Sequence, residues 1–348
     1  MKITNIISTR TRAKEPSFDL IYEWEDDLSQ ILSLPIYNPW SSKYRIAYIH
    51  RYSKRVLSIL GRTVTELFNN AIERNNQYTL GRDDYSLVFE LYTELEPHFS
   101  NSSKSIPVLV DYWKNVDLKS LYKAYKNCKL VLVTNLEAVN YLNSKKCPLN
   151  IVHFPLSLSD RYKLNENIIY EKKYDILLAG RLNIRTNQVL RNYLDEFIIK
   201  YPGFTFLYQK EIDNEFYYVS NHGELIGKFQ TRQDYINLLR ASKVSFYSTP
   251  GIDGGEKRTG GFNPVTPRYL ELLSAQCLLL GKYPKNDDTD YYELEKVCPN
   301  ITSYEHFEQT LLQYLNTEKP SFEVHRAILS KHYTSCRAKL LMDIIGYC

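Results

Sequence analysis

Residues 244–281 read VSFYSTPGIDGGEKRTGGFNPVTPRYLELLSAQCLLLG, and the order of patterns within them decides the fold. Val244-Ser245-Phe246-Tyr247 is an apolar run of the kind that forms a short buried strand. A loop dense in glycine follows (Gly251, Gly254, Gly255, Gly260, Gly261), with Glu256, Lys257 and Arg258 in its middle. TPRYLELLSA then carries helical spacing, and Cys277-Leu278-Leu279-Leu280 is a second buried strand. Strand, glycine loop, helix and strand make half of a βαβ unit. Its loop falls at the C-terminal end of the strand, where open α/β sheets bind ligands. Glycines let the backbone approach a ligand and adopt positive φ. A helix N-terminus beside them offers unpaired N–H groups and a positive dipole end, and Lys257, Arg258 and Arg268 add full charges. Such loops also occur as plain surface connections; the position at a βα turn is what favours a phosphate or diphosphate site.

The same alternation extends outward in both directions. Upstream, strands are expected at Tyr174–Ala179, Phe204–Tyr208 and near Leu225-Ile226-Gly227, with helices at about 186–200 and 231–241. Downstream, a short strand is expected at Asn300-Ile301-Thr302, with helices at about 304–316 and 321–346. An earlier set of apolar strands lies at Tyr85–Leu91, Pro107–Val110, Leu130–Val133 and Ile151–Phe154, with helical patterns at 117–127 and 136–144. Continuous apolar strands alternating with helices predict parallel sheets covered on both faces. Near the start, Phe18–Tyr22 reads as a strand, a helix follows through Leu34, Tyr44–Ile49 is a second strand candidate, and 53–75 carries helical spacing. The segment Ser157–Lys173 is polar and aperiodic and reads as an interdomain linker. The expectation is therefore an α/β protein of two Rossmann-like domains with parallel sheets facing a central cleft. The first spans 1–160, the second 174–320, and a C-terminal helix at 321–348 crosses back to the first.

Composition narrows the functional classes. The 348 residues suffice for two ordinary domains, with 43% hydrophobic and 24% charged residues. No apolar run approaches the roughly 20 residues that span a bilayer, and MKITNIISTRTR lacks the apolar core of a signal peptide. A cytoplasmic protein is expected. Cys128, Cys147, Cys277, Cys298, Cys336 and Cys348 are scattered without a CxxC pair, so free thiols are expected instead of a disulfide frame or a zinc site. A net charge of +4, from 44 basic and 40 acidic side chains, is too mild for a nucleic-acid partner but permits peripheral attraction to an anionic membrane surface.

Three groups of residues carry candidate chemistry. Gly180-Arg181 directly follows a strong strand: the glycine allows close approach and the arginine is suited to clamp a phosphate. Arg268 and Glu271 are three apart and share a helix face. They read either as an intrahelical ion pair or as ligands, Arg268 for a diphosphate and Glu271 for ribose hydroxyls. In the first half, strand ends carry Glu23, Glu25 and Asp26, then His50, then Asp111. Any of them facing the ligand is a candidate general base, against the alternatives of helix capping for Asp111 and plain solvation for His50. Asp111 is the first choice because it ends the most apolar strand. GxGxxG, Walker A, GxSxG and HExxH are absent, which argues against nicotinamide, P-loop, serine-hydrolase and zinc-protease chemistry.

Taken together, YDILLAGRL (174–182), TPRYLELLSAQCLLLG (266–281) and HYTSCRAKLL (332–341) resemble the donor domain of GT-B glycosyltransferases of the group 1 superfamily. The last of them is similar to the closing His-Thr-x-x-x-Arg helix of its CgeB-like subgroup. The first 150 residues match in layout only, as expected of an acceptor domain. The resemblance implies transfer of a sugar from a nucleotide-sugar donor to a glycan or lipid-linked acceptor, as in bacterial surface polysaccharide or glycoconjugate assembly, without a metal. It implies that Arg181 contacts donor phosphate and that Glu271 stands at the second glutamate of the family's two-glutamate motif. Asn263 occupies the place of the first glutamate, and Glu256 is the carboxylate offered instead. Thr186 replaces the usual lysine, with Arg185 or Lys210 as substitutes. Two other functions share these features: a nucleotide-sugar epimerase of the same fold, and an inactive glycan- or partner-binding module.

Overall fold

The computed structural model describes residues 1–10, 16–38, 83–95, 98–165, 167–180, 185–213, 215–228 and 231–347. The expected strand at Tyr44–Ile49 and the helix at 53–75 lie outside them. The chain divides into two compact units, Met1–Asp160 with Thr334–Cys348, and Arg161–Tyr333.

In the first unit the strands are β1 (Lys2–Ile7), β2 (Ile36–Tyr37), β3 (Asp84–Tyr92), β4 (Ser105–Asp111), β5 (Val131–Val133) and β6 (Ile151–His153). They form a six-stranded sheet in the order β2-β1-β3-β4-β5-β6, parallel at every pairing. The chain passes to one side of β1 for β2 and to the other for β3, so the topological switch lies between β1 and β3. Leu87, Val88, Ile106, Val108, Leu130 and Leu132 are buried, as strands covered on both faces require.

One expectation fails here. Phe18–Tyr22 is no strand: α1 (Asp19–Leu32) begins at Asp19. Leu20, Ile21, Trp24 and Leu28 recur at helical spacing and are buried together, and a five-residue window hides that period. The strand next to edge strand β2 is built instead on KITNII, whose three polar members mask its β character. Further helices are α2 (Leu118–Tyr125), capped by Asp117 accepting from the Ser120 N–H at 2.7 Å, and α3 (Leu136–Ser144).

The second unit holds β7 (Tyr174–Leu177), β8 (Phe206–Ile212), β9 (Glu215–Ser220), β10 (Leu225–Gly227), β11 (Ser242–Ser248) and β12 (Leu278–Lys282), ordered β10-β9-β8-β7-β11-β12. This sheet is mixed. β8, β7, β11 and β12 are parallel, but β9 returns antiparallel on β8 and β10 antiparallel on β9. A hairpin closes that edge where an all-parallel sheet was expected. The switch between directions of winding falls between β7 and β11.

The helices of this unit are α4 (Gln188–Lys200), α5 (Arg232–Ala241), α6 (Pro267–Ser274), α7 (Asp287–Tyr291), α8 (Tyr304–Asn316) and α9 (Glu323–Leu329). Leu190, Leu194, Phe197, Val244, Phe246, Phe307 and Leu311 form one buried cluster where α4 and α8 meet the sheet. The expected strand at Asn300–Thr302 reduces to a single bridge between Gly281 and Asn300.

The helix expected over 321–346 is two, α9 and α10 (Thr334–Tyr347), separated at Ser330–Tyr333; α10 clusters with the first unit and packs on α1. The segment 157–173 is less open than its polarity predicts. Leu158, Ser159, Tyr162 and Leu164 are buried, and the Leu158 carbonyl accepts from the Thr334 N–H at 2.9 Å.

Candidate functional site

At the switch of the second sheet, two loops meet. One leaves β7 at Gly180; the other leaves β11 and runs through the glycine-rich stretch to α6. Thr186 ties the first to the second by donating to the Pro250 carbonyl at 3.4 Å. The glycine loop folds on itself. Glu256 N–H donates to the Pro250 carbonyl at 2.8 Å, and a Cβ on Gly251 would lie 2.3 Å from the Phe262 carbonyl oxygen. Buried Asn263 accepts from the Thr249 hydroxyl at 2.7 Å and donates to the Gly261 carbonyl at 3.0 Å, so it staples the loop. Glu256 is bound by Arg258 at 2.5 Å, and Lys257 is exposed.

Arg268 occupies the second position of α6, after Pro267, whose missing N–H costs nothing there. Its guanidinium lies against Gly180. That glycine has φ +103°, and a Cβ on it would fall 2.7 Å from Arg268 Nη1. Only a residue without a side chain leaves room for the arginine in that conformation. The Gly180 N–H donates to the hydroxyl of Tyr218, on β9, at 3.5 Å. Tyr235, on α5, also reaches the guanidinium. Burial opposes the Arg268 charge, but Tyr235, Tyr218 and Glu271 outweigh it, and the guanidinium stays above its ordinary pKa. Burial likewise raises both phenols, so they stay neutral. Among the described residues no carboxylate lies within salt-bridge distance of Arg268, and its buried Nε has no hydrogen-bond partner.

Glu271 is nearly buried and accepts from Arg232 Nη2 at 2.5 Å. Arg232 is the first residue of α5, behind a capping box of Thr231 and Asp234. Arg232, Tyr218 and Tyr235 carry no motif in the sequence. The box marks where α5 starts, but nothing local shows that its first turn meets α6. Gly180, Arg268 and Glu271 are thus brought to one place. Lys210 is exposed on β8, three residues past Leu207 as Gly180 is three past its partner Leu177. Arg181 lies outside the described residues.

The first unit scatters its candidates. Glu25 is buried in α1 and pairs with Arg10 at 3.0 Å, while Asp26 takes the same guanidinium at 2.8 Å. Burial pushes the Glu25 carboxyl up to about 7, against the hydrogen bonds from Ser8 and Arg10. Its side chain is fully covered, which places it beneath Arg10 and not at a surface. Asp111 ends β4 opposite Tyr92. Ile7, Val88 and Pro107 share a register row, so Asp111 stands four residues, about 13 Å, farther along than the end of β1. His50 lies outside the described residues. His153, at the end of β6, bonds the Thr134 carbonyl, and burial lowers its pKa to about 4, so it is neutral. No group of His, Cys, Asp and Glu able to hold a metal occurs among the described residues, and none of the described helices is long and apolar enough to cross a membrane.

No protein-family model matches the sequence, and no curated protein does. Solved structures do. The chain is similar to sucrose-phosphate synthase from Thermosynechococcus elongatus (TM-score 0.54, 10% identity, 100% of this chain and 99% of that one). It is similar to UDP-GlcNAc 2-epimerase from Methanocaldococcus jannaschii (TM-score 0.51, 10% identity, 100% of each chain). It is also similar to TarM, with TM-score 0.53 and 11% identity, over 81% of this chain. The chain spans 60%, 59% and 58% of the GtfA/B, pneumococcal O-GlcNAc transferase and TarM chains it matches. At such identities the likeness is one of fold. Two Rossmann-like α/β units and likenesses over 81% and 100% of the chain show that this protein has the GT-B fold of these glycosyltransferases.

Proposed function

We propose that the chain is a glycosyltransferase that uses a nucleotide-sugar donor and passes the sugar to a glycan or lipid-linked acceptor in surface polysaccharide or glycoconjugate assembly. The observation that carries the reading is Arg268. It is a largely buried guanidinium with no carboxylate in salt-bridge distance among the described residues, packed on Gly180, three residues past the end of β7, at the switch point where α/β sheets take their ligands. A nucleoside diphosphate departing from the sugar develops negative charge on its leaving oxygen, and a preorganised cation stabilises that charge most where water is excluded. Arg268 supplies the charge, joined by Lys210 on β8 and by Arg181, which follows Gly180 in sequence. Glu271 faces the ribose, and the reaction needs no metal because these cations take the metal's part.

The reading is supported by likeness to structures described as binding UDP with GlcNAc, such as the pneumococcal O-GlcNAc transferase (TM-score 0.50). Calorimetry with a panel of nucleoside diphosphates tests it. Arg268→Ala is expected to weaken binding by about 1.5–3 kcal/mol, the range for hydrogen bonds to a charged group; an unchanged affinity sinks the assignment. The end-to-end likeness to an epimerase favours a second reading, an enzyme that acts on the nucleotide sugar alone. Product analysis decides between them. Conversion of the donor without acceptor supports the epimerase, and sugar transfer that needs an acceptor supports the transferase.

A further inference from the structure

We propose that Arg232 is a positioning residue of this anion site: by holding Glu271 it keeps Arg268 un-neutralised, so that a diphosphate meets a full positive charge. The inference rests on the reading of the second unit as a diphosphate site. Arg268 and Glu271 are one turn apart on α6, a spacing at which arginine and glutamate ordinarily pair. The pair that forms is a different one. Glu271 Oε1 lies 2.5 Å from Arg232 Nη2, with the two side chains 6% and 17% exposed. Arg232 and Tyr235 are likewise one turn apart, on α5, and the Arg232 guanidinium carbon lies 5.8 Å from the Tyr235 ring centroid. The first turn of α5 therefore presents two partners to α6: a cation for Glu271 and a phenol for Arg268. The capping box of Thr231 and Asp234 sets where that turn begins.

The chemistry of the exchange is specific. A carboxylate would orient Arg268 and cancel its charge at once. Tyr235 and Tyr218, neutral phenols near it, cancel nothing. Two arginines and one glutamate leave one positive charge in the group, and the ion pair assigns it to the arginine that packs on Gly180.

The full-length chain is titrated with inorganic pyrophosphate and with nucleoside diphosphates at fixed ionic strength. Arg232→Met is expected to lower pyrophosphate affinity about tenfold or more, because the released Glu271 turns to Arg268. Arg232→Met/Glu271→Gln is expected to return to within about threefold of the wild type. That rescue separates positioning from direct contact or from support of the fold, since either of those roles leaves the double variant weak. Unchanged affinity in Arg232→Met, or a loss the second substitution does not recover, overturns the proposal. Should Arg232→Met give no cooperative melting transition, Glu271→Gln alone decides: pyrophosphate affinity at or above the wild type supports the proposal, and a tenfold loss of pyrophosphate affinity overturns it. A wild-type chain that binds neither ligand removes the reading beneath the proposal. Binding lost in Arg268→Ala but untouched in Arg232→Met overturns the proposal alone.

Discussion

Arg232 and Glu271, 39 residues apart in sequence, form an ion pair at 2.5 Å, while Arg268, one turn from Glu271 on the same helix, forms none among the described residues. The geometry distinguishes a charge used within the fold from one left available. The carboxylate that sequence spacing offers to Arg268 is engaged elsewhere, and its near neighbours are Gly180 and two phenols.

Gly180→Ala tests the close approach. At φ +103° an alanine is strained, and its Cβ would fall 2.7 Å from Arg268 Nη1. A left-handed or rarer conformation costs a non-glycine residue about 1–3 kcal/mol. The expected outcome is a lowered melting temperature together with pyrophosphate affinity reduced about tenfold. A variant that binds as the wild type does shows that the arginine does not need this glycine.

Glu271→Gln tests the ribose role. It is expected to weaken nucleoside-diphosphate binding by about 1.5–3 kcal/mol, the scale of one hydrogen bond to a charged acceptor. Pyrophosphate, which has no ribose, should keep its affinity. Calorimetry with both ligands checks this, and equal losses for the two argue against ribose contact.

Asp111→Asn tests the general base. If product NMR shows inverted configuration, the variant is expected to lose about 10²-fold or more in turnover with donor affinity kept, as removal of a general base does. A retained configuration needs no such base, and the substitution then costs little. An inverted product from a fully active variant removes Asp111 and, with Glu25 covered beneath Arg10, leaves His50.

Glu90→Gln tests a buried acid in the first unit. The Glu90 side chain in β3 accepts from Tyr125 and from the Glu94 N–H, its other oxygen is buried without a partner, and burial pushes its pKa up to about 8. The folded chain thus keeps this proton at pH values where the unfolded chain has lost it. Its contribution to stability is full below about 4.5 and declines as pH rises toward 8. Between pH 5 and pH 8 the wild type is expected to lose on the order of 3 kcal/mol relative to Glu90→Gln in urea unfolding. Parallel profiles for the two proteins rule this out.

Much of the framework is readable along the chain because its signals are local. Apolar strands such as Val108–Val110 and Val244–Tyr247 announce themselves by composition, and helices such as α5 by their caps. Gly180, Arg268 and Glu271 stand out for similar reasons, being next to a strand end or on one helix face. Failures occur where a short window admits two periods. Phe18–Tyr22 is apolar enough for a strand, and only Trp24 and Leu28 reveal the helix. The hairpin of β8 and β9 follows from pairing that a parallel pattern does not announce.

By itself, then, the sequence determined which segments are strands and helices in the α/β rhythm, where glycine opens the backbone, and which charged residues lie near strand ends. Periodicity and φ preference act within a few residues, and so they are written there. Tertiary structure alone decided which arginine holds Glu271, that Tyr218 and Tyr235 attend Arg268, and that Glu25 lies covered beneath Arg10. Each of those outcomes is set by packing between segments 15 to 50 residues apart. Across such spans, burial and charge competition choose one partner from several that local spacing equally allows.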